Sequence, residues 1–168
     1  HIHAGVILNK RTQQFRRCRG KRFKDGLVGI THTNPISSHI IALSGAERSR
    51  SAPIILTIPL LGDHQIENTA TAYAALKTSG IELSNASIQK GFSQVKWSAR
   101  FEVVRRDPPV IFDSAHNQDS FAKLSETLQT YFPDKMVYLI FGASEDKNIP
   151  GMFAELKSKI KKIIVTRA

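Results

Sequence analysis

With 168 residues, 41% of them apolar, the chain has enough to bury for one medium domain or parts of two, which excludes wholesale disorder. No run approaches the roughly 18 to 20 apolar residues that span a bilayer, the opening has no secretory-signal order, and a lone Cys18 excludes an intrachain disulfide or a thiolate metal cage, so a soluble cytoplasmic protein is expected. The net charge of +10 is concentrated: residues 1–50 carry ten Lys and Arg against Asp25 and Glu47, which excludes a uniformly basic nucleic-acid binder.

Residues 1–50 are the hardest to read. His3-Ala4-Gly5-Val6-Ile7-Leu8 has the composition of a short strand or a turn beside one. The basic stretch 10–24 lacks apolar periodicity and reads first as a solvated loop; with only Phe15 and Phe23 to stack on bases, a nucleic-acid surface is the lesser reading. From residue 51 the pattern sharpens. Residues 53–58 predict a β-branched strand, and Asp63 opens a helix whose Ile66, Ala70, Tyr73, Ala74 and Leu76 recur at helical spacing until Gly80. Ser84 caps a second, shorter helix carrying Ile88.

Residues 97–104 cross into another pattern. Residues 110–112 form a short apolar strand after the Asp107-Pro108-Pro109 turn. An amphipathic helix over 117–132 presents Phe121, Leu124, Leu128 and Tyr131 on one side and stops at Pro133. A strand over 136–141, a helix over 152–160 and a strand over 163–165 follow. This β-α-β-α-β order with apolar strands implies an α/β fold with a parallel sheet and right-handed crossovers. The expected organisation is a basic segment at 1–50, the end of one domain at 51–96, and the start of a second at 97–168.

Ligands of open parallel sheets bind beyond the carboxyl ends of the strands. Two polar clusters fall at such ends: Asp113-Ser114-Ala115-His116-Asn117 and Gly142-Ala143-Ser144-Glu145-Asp146-Lys147. Neighbouring strands would bring them to one rim, where a carboxylate accepts from ribose hydroxyls and helix starts favour anions. Taken singly, each has a plain alternative: Asp113, Asn117 and Asp146 as helix caps, His116 as a structural histidine, Arg100 as a salt-bridge partner of Glu102.

Four segments together resemble the folylpolyglutamate synthase/dihydrofolate synthase family. Leu60-Leu61-Gly62-Asp63-His64-Gln65-Ile66-Glu67-Asn68 is similar to its LLGxHQxxN segment, and Trp97-Ser98-Ala99-Arg100-Phe101-Glu102 to its WPGRxE turn. Asp113-Ser114-Ala115-His116-Asn117 is similar to DGAHN, and the 141–147 loop to GxxxDK. The resemblance implies a Mur-ligase architecture: the end of a central ATP-binding domain, then part of a Rossmann-like C-terminal domain. It implies that Asn68 contacts adenine, Arg100 the ATP phosphates and Asp113 the ribose, that His116 lies beside the nucleotide, and that Asp146 and Lys147 shape the adjoining rim. It further implies ATP and Mg2+, folate or dihydropteroate with L-glutamate as substrates, and a monomer. No catalytic residue and no metal ligand is assigned within these residues.

The chain departs from the family in several places. It contains no GxxxxGK[ST] phosphate loop, so it reads as an interior fragment that is inactive alone. His3 stands where the family's metal-site lysine is expected. Ser114 replaces a glycine, and Ser98-Ala99 replaces Pro-Gly, which matters only if those positions need a positive φ. The alternatives are a cell-wall Mur ligase, against which His64-Gln65, Ser114 and Asp146-Lys147 argue, a nonfunctional remnant, and a basic nucleic-acid-binding module.

Overall fold

The structure is a computed structural model that describes residues 26–32, 38–45, 54–144 and 146–166. The expectations for 3–8 and 10–24, and the substitution at His3, lie outside those residues. The chain divides into two compact units, His1–Trp97 and Ser98–Ala168.

In the first unit, β1 (Gly26–His32), β2 (His39–Gly45) and β3 (Ile54–Ile58) form an antiparallel sheet in the order β1-β2-β3. Strands β1 and β2 were not foreseen from the sequence, since neither alternates strongly enough among its polar and glycine neighbours to announce itself. The register explains the core. His39 faces Ile58, Ile41 faces Leu56, and Leu43 faces Ile54, so all six buried side chains share one face of the sheet. Helix α1 (Asp63–Thr78) brings Ile66 and Ala70 to that core, and α2 (Asn85–Ser93) brings Ile88. Ser84 caps α2 by accepting from the Ser87 N–H, as its sequence position predicts. Helix α1 differs: its N-cap is Gly62 at φ 105°, and Asp63 is the first helical residue rather than the cap.

The second unit opens with a hairpin. β4 (Glu102–Arg106) pairs antiparallel with β5 (Pro109–Phe112), Arg106 opposite Pro109, around Asp107-Pro108, whose peptide bond is cis. Helix α3 (Gln118–Tyr131) follows, then β6 (Val137–Phe141), α4 (Ile149–Leu156) and β7 (Ile160–Val165). β6 and β7 pair in parallel across the α4 crossover, which makes this unit α/β. The expected neighbour relation of β5 and β6 is not the hydrogen-bonded one found: among the described residues β5 pairs with β4, because the two-residue turn returns the chain directly onto the preceding strand. Phe121 of α3, Phe141 of β6 and Phe153 of α4 meet edge to face at 5.0–6.4 Å and form the centre of the unit.

Candidate functional site

The segment leading into β4 makes an unusual turn. Ala99 has φ 55° and Phe101 φ 49°, so Arg100 lies between two non-glycine residues in the left-handed region. Three hydrogen bonds and one buried ring hold it. The Ala99 N–H donates to Glu102 Oε2 at 2.9 Å, the Ser114 N–H donates to the Ala99 carbonyl at 2.8 Å, and the Phe101 N–H donates to Asp113 Oδ2 at 2.9 Å. The Phe101 ring is 3% exposed, with Tyr131 and Phe132 at 6.1 and 6.4 Å. Arg100 itself is half-buried.

Asp113 therefore ties two segments together. Its Oδ1 accepts from the Ala115 N–H at 2.8 Å while Oδ2 takes the Phe101 N–H, so it is not a helix cap. A carboxylate oxygen has two acceptor positions, and each oxygen keeps one for a ligand hydroxyl. The cap of α3 is Asn117, whose side chain accepts from the Ser120 N–H while the Ser120 hydroxyl takes the Asn117 N–H. Asn117 thus follows its plain alternative. His116 is exposed, and its Nδ1 lies 2.9 Å from the Ser114 carbonyl. A carbonyl only accepts, so Nδ1 carries the proton in this contact.

The starts of α3 and α4, which follow the two loops in sequence, lie beside each other. Gln118 Nε2 donates to Glu155 Oε1 at 2.9 Å, and a Cβ on Gly151 would lie 2.7 Å from Gln118 Oε1 and 2.5 Å from Asn148 Nδ2. Glycine at 151 is what lets these two helix starts approach. Asn148, not Asp146, caps α4, accepting from the Gly151 N–H. Asp146 instead pairs with Lys147 at 2.7 Å and accepts from the Ser144 hydroxyl; these two contacts, the lysine first, hold its carboxyl below the usual carboxylate range.

Asn68 belongs to the first unit, exposed on α1, with its side-chain amide donating to Gln65 Oε1 at 3.2 Å. Among the described residues no three His, Cys, Asp or Glu side chains gather as a metal cage. The sequence singled out Glu102 as the last residue of the Trp97–Glu102 turn and as a salt-bridge partner for Arg100. Its bond to the Ala99 N–H, which shapes that turn, had no signal of its own in the sequence.

The family described as "Mur ligase, glutamate ligase domain" matches residues 99–168. A probable bifunctional folylpolyglutamate synthase/dihydropteroate synthase of Halobacterium salinarum is 40% identical over 100 residues, 59% of this chain and 12% of its own length. The Escherichia coli dihydrofolate synthase/folylpolyglutamate synthase is 33% identical over 132 residues, 79% of this chain and 30% of its own. The solved structure of E. coli FolC in complex with ADP, without folate substrate, superposes with a TM-score of 0.65 at 31% identity, covering 83% of this chain and 31% of that one. The chain thus spans a third or less of the length of each of these relatives. Residues 99–168 match the Mur ligase glutamate ligase domain, and by sequence and by fold the chain is similar to folylpolyglutamate synthase/dihydrofolate synthases.

Proposed function

We propose that the chain is the part of an ATP-dependent acid–amino-acid ligase that holds the nucleoside and phosphates while glutamate is joined to folate or dihydropteroate. A carboxylate is a poor electrophile, so its oxygen first attacks the γ-phosphorus of ATP, giving an acyl phosphate and ADP. The amine of glutamate then attacks the acyl carbon, and the tetrahedral intermediate loses inorganic phosphate and a proton to leave the amide. Negative charge grows on the transferring phosphoryl group, where a fixed guanidinium fork such as Arg100 stabilises it better than a lysine. Asp113 takes the ribose hydroxyls on its remaining acceptor positions, and His116 offers Nε2 beside the nucleotide. Asn68 contacts adenine, and the Asp146–Lys147 pair shapes the rim. None of these residues is assigned a covalent or acid–base step. The ligase works in the cytoplasm as a monomer, and among the described residues no helix is long and apolar enough to cross a membrane.

The observation that carries this reading is the hydrogen-bonded junction between the Arg100 turn and the Asp113 loop. Its test joins the chain to a phosphate-loop domain from a relative. ATP hydrolysis is expected only with a pteroate or folate acceptor and glutamate together. Equal activity with a muramyl-peptide acceptor would overturn the folate assignment in favour of a cell-wall ligase. In the same assay Arg100→Ala should lower kcat about ten- to a thousandfold, the scale of removing one donor to developing charge. Unchanged turnover would remove Arg100 from the site.

A further inference from the structure

A guanidinium placed between two left-handed residues needs something to hold it there, because alanine and phenylalanine both disfavour positive φ. The ring of Phe101 is anchored by burial and its N–H by Asp113. Ala99 has no side chain to anchor it. Its N–H is held by the Glu102 carboxylate and its carbonyl by the Ser114 N–H. Of these contacts only the one from Glu102 is a side-chain interaction local to the turn, and it is charge-assisted, the stronger class of hydrogen bond.

From these contacts we infer that Glu102 is a positioning residue: by accepting the Ala99 N–H it keeps the backbone in the left-handed turn that presents Arg100 to phosphate. This rests on the reading of Arg100 as a phosphate-contacting residue. It carries a sign that simple electrostatics reverses. A carboxylate two residues from the phosphate-binding arginine repels a triphosphate, so removing it should tighten ATP if charge alone mattered. If Glu102 positions the arginine, removing it weakens ATP.

The test uses the 168-residue chain in nuclear magnetic resonance titrations with ATP and with adenosine, reading the ratio of the two affinities. The unchanged chain should prefer ATP, and Arg100→Ala should abolish that preference. Glu102→Ala should lower the ratio about tenfold, the scale of one charge-assisted hydrogen bond, and leave adenosine affinity unchanged. Glu102→Gln, whose amide oxygen still accepts the Ala99 N–H, should keep most of the preference. Adding Ala99→Gly to Glu102→Ala should restore it, because glycine enters the left-handed region without cost. Should Glu102→Ala fail to fold, Glu102→Asp keeps the charge but is one methylene too short, and should lose both the preference and the amide-exchange protection of Ala99. The inference is overturned if Glu102→Ala, or Glu102→Asp in its place, keeps or raises the ratio, or if Ala99→Gly restores nothing. No ATP preference in the unchanged chain, or one indifferent to Arg100→Ala, overturns the phosphate reading and this inference with it.

Discussion

The two units bury their sheets differently. In the first, residues of β2 and β3 alternate between inside and outside, and Ile41, Leu56 and Ile58 are 0–1% exposed beneath α1 and α2. In the second, the β6 face bearing Leu139 and Phe141 meets α3 and α4, while Tyr138 and Ile140 on the opposite face are 61% and 71% exposed, with Ile164 beside them on β7. The first unit draws its order from a closed apolar core. The second keeps its candidate site in shape with hydrogen bonds between loops, Asp113 to Phe101, Ser114 to Ala99 and Glu102 to Ala99. A hydrophobic core tolerates small shifts of its members, whereas a clamp of directed bonds fixes the backbone on either side of Arg100.

Core truncation should separate the units most sharply. Leu56→Ala removes a fully buried side chain of β3 and should cost about 2–5 kcal/mol in chemical denaturation. Ile140→Thr, on the open face of β6, should stay within about 0.5 kcal/mol. Equal losses would mean that the open face is covered in solution. Next in size comes the turn. Ala99→Gly should stabilise the second unit by up to about 1 kcal/mol, since it removes the left-handed penalty at φ 55° against a small entropic loss. A destabilisation there would show that the turn is not left-handed in solution.

The smallest effect concerns pH. Asp146 has its carboxyl pKa lowered by Lys147 and then by Ser144. A lowered folded value means that its stabilising contribution is present above the usual carboxylate pKa and is lost as pH falls through the folded value. Melting of the second unit should therefore depend less on pH in the acid range after Asp146→Asn. The difference should fade with added salt, because the pair is exposed to solvent. An acid limb identical in the two proteins would remove the Lys147 pair from the account.

Much of this architecture could be read from the sequence because its causes are local. Ser84 and Asn117 cap helices through bonds three residues away, and the apolar spacing of α3 shows its buried side without any knowledge of partners. The positions of the loop motifs were equally plain, since each follows a strand. The β1–β2 pair was not foreseen, because its strands gain their order from β3 across the sheet. The cap of α4 was misplaced by two residues: Asp146 and Asn148 have the same local chemistry, and only the ion pair with Lys147 separates them.

The sequence by itself therefore indicated the four helices, the order of the elements from β5 onward and the residue types available for chemistry, all of which follow from neighbours within a few positions. Only the tertiary structure decided that β5 turns back on β4, that Asp113 reaches the Phe101 N–H twelve residues earlier, and that Ala99 takes a left-handed backbone conformation. The last two depend on bonds from residues 113 and 114 back to 101 and 99, and no periodicity or capping pattern records which distant N–H a carboxylate will meet.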